Sequence, residues 1–192
     1  MAATPARVTL TGATGLIGSA LARELAAAGA EVIVLSRDPD RAHAALDLPA
    51  EPWEPLREPA PASALAGRDA LVHLAGETIA QRWSPRARHA IRESRLLGTR
   101  NLLEGLRRLR APQRPPVLLS ASAVGFYGPH REEPLDEDAP PGRDFLAQLC
   151  AAWESEAHAA AELDMRVLHL RTGVLLDPRG GALAKMLPPF RL

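Results

Sequence analysis

The segment TGATGLIG, residues 11–18, constrains the fold of this chain more than any other part of it. It follows a strand-like run over 7–10 and leads into a stretch rich in alanine and leucine. Apolar residues at helical spacing in that stretch predict a helix over 16–28, with Gly29 as its stop. A strand, a glycine turn and a helix in this order are what a dinucleotide site requires.

The three glycines of this segment are spaced three and three, whereas the commonest dinucleotide fingerprint spaces them two and three. The first allows a tight turn, the second lets the backbone approach a pyrophosphate, and the third lets the helix pack close to the strand. Unpaired amides at the helix start, with the helix dipole, add an anion site. An ordinary strand-to-helix turn is the alternative. The predicted phosphate site comprises Gly12, Thr14, Gly15, Leu16, Ile17 and Gly18.

Composition excludes several classes of protein. With 192 residues and 46% apolar content, the chain is long enough for one substantial core. Lys plus Arg equal Asp plus Glu at 23 each, so no net charge attracts nucleic acid or an acidic membrane. The single cysteine, Cys150, excludes an internal disulfide and fits a reducing compartment. No run is long enough to span a bilayer or to form the core of a signal peptide, so we expect a cytoplasmic protein.

A second strand is predicted over 31–35, and its apolar character fits a parallel strand covered on both faces. Ser36, Arg37 and Asp38 follow it, where such a domain binds the ribose of the adenosine half. An acid there favours NAD through the 2′-hydroxyl, whereas Arg37 can pair with the 2′-phosphate of NADP. Because Asp38 precedes Pro39 and a short helical pattern, we interpret it as a turn or cap residue. The sequence therefore favours NADP, with NAD as the alternative.

Further strands are predicted over 70–74, 117–120 and 165–170. Small residues after the first of these, Ala75 and Gly76 with Glu77, let a cofactor lie against the backbone. Ser120 and Ser122 place hydroxyls at the ligand-binding end of the next strand.

His73 lies within an apolar strand, and the simplest interpretation is a hydrogen-bonded core imidazole. No histidine or cysteine has metal-ligand spacing to it, so no metal site is predicted.

These elements predict an α/β fold. A short edge strand near Trp53, within the proline-rich connector 49–61, completes a set of six. We expect a doubly wound parallel sheet with strand order 3-2-1-4-5-6 and helices on both faces, a three-layer αβα Rossmann arrangement.

Two long helices are predicted over 85–109 and 144–163. Nine arginines fall between Arg82 and Arg110, but without interleaved aromatics they indicate a solvated helix face rather than a nucleic-acid surface. We expect both helices on the same face of the sheet.

Together these motifs resemble the extended short-chain dehydrogenase/reductase superfamily, and within it the atypical epimerase family related to nucleotide-sugar epimerases and dehydratases. The resemblance covers nearly the whole chain. It rests on TGATGLIG, Ser36-Arg37, residues 74–77 with Arg82-Trp83, Ser94-Arg95, SASAVGFYG, Phe145-Leu146 with Trp153-Glu154, and RTGVLLDPRGGAL. It implies a Rossmann domain that binds NADP, and it implies that the residues near the cofactor are Ser36, Arg37, Leu74, Ala75, Arg95 and Arg171. It also implies a homodimer, because related proteins pair through a four-helix interface formed by the two long helices.

The chain departs from that superfamily in its proton-transfer residues. Active members use a tyrosine whose pKa is lowered by a lysine four residues on. Tyr127 is the only tyrosine and Lys185 the only lysine, so no such pair exists. Placing Glu154 on the family glutamate puts Leu146 and Cys150 at the two positions, and neither can replace the original chemistry. Cys150 is interpreted as a packed core residue, and Tyr127, which follows Ser122 on the same loop, is the candidate substitute acid.

Members of the resembled family continue well beyond this point, through more sheet and a small substrate-binding region. We therefore expect residues 1–192 to be the NAD(P)-binding Rossmann domain of an extended protein, with the substrate region largely missing.

Two functions remain open: an NADP-dependent oxidoreductase or epimerase-like enzyme acting on a small molecule such as a nucleotide sugar, and a module that binds or senses NADP without turnover.

Overall fold

The chain is described from a computed structural model, which covers residues 4–130, 134–178 and 180–191. Six parallel strands form one sheet in the order β3-β2-β1-β4-β5-β6, which confirms the predicted order. The strands are β1 (Arg7–Thr11), β2 (Glu31–Ser36), β3 (Ala50–Pro52), β4 (Ala70–His73), β5 (Val117–Ala123) and β6 (Arg166–Thr172). A two-residue strand, β7 (Leu176–Asp177), lies outside this sheet and forms antiparallel bridges with residues 180–181.

Within the described residues, six α-helices accompany the strands: α1 (Leu16–Ala27), α2 (Pro39–Leu46), α3 (Ala62–Leu65), α4 (Pro85–Arg107), α5 (Phe145–His158) and α6 (Gly181–Met186). Single turns of 3-10 helix occur at Ala111–Gln113, Val124–Tyr127, Ala159–Leu163 and Pro188–Arg191. None of the helices in the part of the chain that the structure describes is long and apolar enough to cross a membrane.

The side chains of the parallel strands alternate between two hydrophobic layers. In β4, Leu71 belongs to the layer that α3, α4 and α5 cover, and its neighbour Val72 belongs to the layer under α1 and α2. Successive residues of a strand point to opposite faces, so the sheet is buried on both sides. This is the three-layer αβα arrangement that the sequence predicts, with α4 and α5 on the same face.

Four strands extend further than predicted: β1 and β2 by one residue each, and β5 and β6 by more. β5 continues through Ser122 to Ala123, and β6 continues through Arg171 to Thr172. The two strands are in register over seven pairs, including Ser122 with Arg171. Small residues carry no strong strand propensity of their own, so this pairing, which is not visible in the local sequence, extends the strands.

Some helix ends also differ from the predictions. The predicted helix over 85–109 ends at Arg107, and that over 144–163 is α-helical only to His158, where a 3-10 segment follows. Asp144 precedes α5 as its N-cap, because its carboxylate accepts the amide of Ala147 at 2.8 Å.

Alanine substitutions at two buried helix glycines should have opposite effects on stability. A Cβ on Gly18 would overlap the Gly12 carbonyl oxygen and lie 2.7 Å from the Ala13 Cα, whereas a Cβ on Gly98 would meet only the Pro55 Cβ, at 3.6 Å. We expect Gly18→Ala to destabilise the fold by about 3 kcal/mol, since backbone cannot move aside cheaply. Gly98→Ala is the matched control and should be neutral or stabilising by up to about 1 kcal/mol, because alanine favours helix. Urea unfolding checks both, and equal losses would contradict the account of Gly18.

Candidate functional site

A cleft of about 470 Å³ opens at the carboxyl ends of β1, β2 and β4. Most of it is formed by the glycine turn, the end of β2, the segment after β3 and the wall after β4, and side chains of α2 and α4 complete the lining. The lining residues are Gly12–Gly15, Val34–Asp38, Arg41, Trp53–Leu56, Leu74–Glu77, Ala90 and Ser94.

The glycine turn adopts a conformation that only glycine takes easily. Gly12 has φ +71°, and a Cβ there would lie 2.7–2.8 Å from backbone atoms of Leu74 and Ala75. Gly15 is the N-cap of α1. It has no side chain to accept the first helical amides, so these are available to an anion in the cleft.

The end of β2 places an exposed arginine, Arg37, next to an acid, Asp38, whose carboxylate caps a helix. The Asp38 carboxylate caps α2 by accepting the Arg41 amide at 3.0 Å. This supports the interpretation of Asp38 as a cap residue. The Ser36 hydroxyl bonds to the backbone of Asp38, whose amide donates to it at 3.2 Å. Arg37 is exposed at the cleft edge, and Arg41 is a second arginine in the lining.

The segment Trp53–Leu56 lines the cleft, although the sequence predicts only a short edge strand in a proline-rich connector there. Trp53 is buried, and its indole N–H donates to the Glu58 carbonyl at 3.1 Å. The Asn101 amide of α4 donates to the Pro55 carbonyl at 2.8 Å. One feature of the sequence indicates that this segment packs against the fold. It is the tryptophan among the prolines, because its large apolar surface has to be buried.

Side chains from α4 hold the wall formed by residues 74–77. The Ser94 hydroxyl accepts the Glu77 amide at 2.9 Å, and an Arg95 Nη1 donates to the Glu77 carbonyl at 3.0 Å. The Arg95 guanidinium lies against Gly76, where a Cβ would be 3.2 Å from its Cζ. Arg95 therefore supports the wall from behind and does not line the cleft. Ala90, Ser94 and Arg41 line it without having been predicted.

His73 is fully buried and hydrogen-bonded through both ring nitrogens, to Thr11 at 2.8 Å and to Thr99 at 3.1 Å. Burial, with a contribution from the positive charge of Arg95, lowers the pKa of His73 to about 4. The imidazole is therefore neutral near pH 7 and has the structural role expected of a core histidine.

A polar cluster lies at the ends of β5 and β6, beside the cleft lining but not part of it. Arg171 forms a bidentate pair with Glu154, at 2.9 Å for both bonds, and the Ser122 hydroxyl donates to the same carboxylate at 2.5 Å. Arg171 Nη1 also donates to the Tyr127 hydroxyl at 2.8 Å and to the Glu137 carbonyl at 2.8 Å. The Phe126 ring lies under its guanidinium, 3.6 Å from Cζ to centroid.

These contacts fix the protonation states in the cluster. Burial alone would raise the pKa of Glu154, but the hydrogen bonds from Arg171 and Ser122 outweigh it and lower the pKa below its usual value. The hydrogen bond to Glu154 in turn raises the pKa of Arg171. Burial raises the pKa of the nearby Cys150 thiol. Glu154 is thus a carboxylate, Arg171 a cation and Cys150 a neutral thiol.

The predicted residues divide into two groups. Those that line the cleft are Gly12, Thr14, Gly15, Ser36, Arg37, Leu74, Ala75, Gly76 and Glu77. Those placed elsewhere are Leu16, Ile17 and Gly18 in the first turn of α1, Arg95 behind the wall, buried Ser120 within β5, and Ser122, Tyr127 and Arg171 in the polar cluster. In the described residues, no group of three or more His, Cys, Asp or Glu side chains could hold a metal ion.

The chain matches the model of the NAD dependent epimerase/dehydratase family over residues 8–191. It belongs to this family. The match confirms the resemblance inferred from the sequence motifs, and it includes both the cleft and the polar cluster.

Two relatives illustrate the likeness. An epimerase family protein SDR39U1 homolog of Arabidopsis thaliana is 38% identical over 186 residues, 96% of this chain and 53% of that protein. Epimerase family protein SDR39U1 of Homo sapiens is 36% identical over 190 residues, 97% of this chain and 60% of that protein. The chain thus spans little more than half the length of these relatives.

Two solved structures share the fold. A nucleoside-diphosphate sugar epimerase from Corynebacterium glutamicum has a TM-score of 0.80 and 40% identity, over 97% of this chain and 38% of that one. Human SDR39U1 isoform 2, solved with NADPH, has a TM-score of 0.79 and 34% identity, over 96% of this chain and 59% of that one.

His73 predicts a specific pH dependence of stability. Its pKa falls from 6.5 to about 4 on folding, so between these values the unfolded chain binds a proton that the folded chain does not. Stability should therefore fall as the pH drops through this window, by roughly 3 kcal/mol from this residue. Urea unfolding across the window should show a shallower pH dependence for His73→Gln than for the wild type. Parallel pH profiles would contradict the assignment.

Proposed function

We propose that this chain binds NADP(H) and is the cofactor-binding domain, residues 1–192, of an oxidoreductase or epimerase-like enzyme. The observation that carries the proposal is the end of β2, where Arg37 is exposed on the cleft and the Asp38 carboxylate is already used to cap α2.

The choice of NADP over NAD follows from these two side chains. A carboxylate that accepts both ribose hydroxyls is the usual basis for NAD binding. Asp38 already accepts a backbone amide, so this role is less available to it. A guanidinium can form two charge-assisted bonds to a 2′-phosphate, and Arg41 supplies a second positive charge in the lining. The presence of NADPH in the structure of the human relative supports the same choice.

Removing the Arg37 guanidinium should change the cofactor preference. We expect Arg37→Ala to weaken NADPH binding by on the order of 2 kcal/mol, the range for a hydrogen bond to a charged group, and to leave NADH binding nearly unchanged. Arg23→Ala, on the exposed side of α1, is the matched control for loss of one positive charge. Competitive calorimetry with both dinucleotides measures the effect. An equal loss for both, or a wild-type preference for NADH, would contradict the assignment.

A nucleotide sugar is the substrate class that we propose, because the Corynebacterium glutamicum neighbour is a nucleoside-diphosphate sugar epimerase. Bound NADP would accept or return a hydride. This chain would have to move the accompanying proton without the tyrosine and lysine of the superfamily. Tyr127 is our candidate for this step and Ser122 the second.

The contact with Arg171 supports Tyr127 in this role. Because the guanidinium donates to the phenol oxygen at 2.8 Å, the phenol's own proton is free to point elsewhere. The same guanidinium places a positive charge 2.8 Å from the phenol oxygen. Arg171 is thus the cation beside Tyr127, where active members of the superfamily have a lysine.

A module that binds NADP without turnover is the second candidate function, and three observations favour it. Leu146 has no proton to transfer. Cys150 is buried with a raised pKa, so its thiol is a poor base. The Ser122 hydroxyl donates to Glu154 rather than into the cleft.

Tyr127→Phe separates the two functions. If Tyr127 transfers the proton, this variant should lose roughly a hundredfold or more in NADPH oxidation by a panel of keto-sugar nucleotides, because general acid catalysis contributes on that scale. NADPH affinity, followed by fluorescence titration, should not change. A wild-type chain that binds NADPH and oxidises it with none of the panel would favour the binding module.

We further propose a homodimer formed through α4 and α5, and a cytoplasmic location. The two helices cover the same face of the sheet and are joined by the Arg100–Glu156 ion pair. The location rests on the single cysteine, which is free and buried. Light scattering would show the dimer at twice the mass of the chain.

A further inference from the structure

The wall of the cleft, residues 74–77, begins where β4 ends. The Leu74 amide donates to the Thr11 carbonyl at 3.2 Å, and beyond this bond the wall leaves the hydrogen-bond ladder of the sheet. Side chains take over its support. The Ala75 amide donates to the Thr11 hydroxyl oxygen at 3.2 Å, so one hydroxyl determines the orientation of the first wall peptide.

The Thr11 hydroxyl is itself held by His73. Nδ1 of the ring lies 2.8 Å from Thr11 Oγ1, and Nε2 lies 3.1 Å from Thr99 Oγ1 on α4. The Trp153 indole N–H of α5 donates to the same Thr99 oxygen at 3.1 Å. Apart from the partly buried Ala75, all members of this chain of hydrogen bonds are buried.

We propose that His73 is a positioning residue for cofactor binding: acting through the Thr11 hydroxyl, it fixes the Ala75 peptide in the wall of the cleft, and through Thr99 it ties that wall to α5. The proposal rests on the function proposed above, because it assigns to this network a role in NADP(H) binding.

The glycine turn packs closely against the Ala75 peptide and leaves it little room to move on that side. Gly12 packs so closely that a Cβ on it would lie 2.8 Å from the Ala75 nitrogen. A partly buried amide that loses its acceptor costs free energy, and the peptide can reduce this cost by rotating out of the wall. A rotated peptide would enter the space that a dinucleotide would occupy beside the glycine turn.

Two threonines of β1 provide a matched test. Thr9 and Thr11 are both fully buried, but the Thr9 hydroxyl donates to the Ala64 carbonyl of α3, away from the cleft. Thr→Val at each removes one buried hydroxyl from the same strand at nearly constant volume. We expect Thr11→Val to weaken NADPH binding by on the order of tenfold, the effect of one hydrogen bond. Thr9→Val should lower stability to a similar extent and leave NADPH affinity unchanged.

Substitutions of His73 test the second link. The Asn side chain of His73→Asn can place a polar atom near the position of Nδ1 and keep the bond to Thr11, whereas His73→Leu removes it. We expect His73→Asn to retain near wild-type NADPH affinity despite a loss of stability. His73→Leu should lose affinity as Thr11→Val does. If the loss of NADPH affinity is proportional to the loss of unfolding free energy across all four variants, the network only stabilises the fold. That result would overturn the proposal.

Hydrogen exchange of the Ala75 amide in the free protein supplies a measurement that needs no cofactor. Exchange should accelerate on the order of tenfold in Thr11→Val, relative to Thr9→Val, because the amide has lost its acceptor. If the wild-type chain binds neither dinucleotide, the proposed function fails, and the exchange comparison still decides the positioning. Equal Ala75 exchange in the two variants would overturn it.

Discussion

The close approach between the glycine turn and the end of β4 determines the arrangement of the cleft. Gly12 lies against the peptide of Leu74 and Ala75, and Gly18 lies against the Gly12 carbonyl, at distances that no side chain allows. This contact joins β1 to β4 at the point where the strand order reverses, and it directs the start of α1 into the space above the sheet. Parallel sheets of this kind bind ligands at that reversal.

Most of the fold could be predicted because it follows from local patterns. Apolar runs predicted the strands, and the glycine turn with the order of strands and helices predicted the doubly wound sheet, which the structure confirms. Gly12–Gly15, Ser36–Arg37 and Leu74–Glu77 line the cleft, and each of these predicted segments is a short motif at the end of a strand. The capping role of Asp38 followed from the proline after it.

What could not be predicted depends on contacts between distant segments. Trp53 enters the lining because Asn101 holds the following segment, and nothing near Trp53 in the sequence indicates this. Arg171 was expected near the cofactor. Its guanidinium bonds to Glu154, Tyr127 and the Glu137 carbonyl, and the sequence predicts none of these contacts. Propensity and periodicity describe neighbours in sequence, whereas these partners are at least 17 residues away.

The cleft and the polar cluster are separate in their lining residues but adjacent in the chain. Trp153 belongs to the hydrogen-bond network behind the cleft wall, and the next residue, Glu154, holds Ser122 and Arg171. Helix α5 therefore contributes to both. The same helix would then position both a cofactor in the cleft and a proton-transfer group in the cluster. In the superfamily this helix carries the tyrosine and lysine that are missing here.

Chemical-shift mapping of the isotope-labelled chain with NADP⁺ tests the central claim most directly. Saturable shifts of backbone amides at Gly12–Gly15, Ser36–Arg37 and Ala75–Glu77 are the predicted result, because these residues line the cleft. Saturable binding with shifts confined to other parts of the chain, or no shifts at millimolar NADP⁺, would contradict the account.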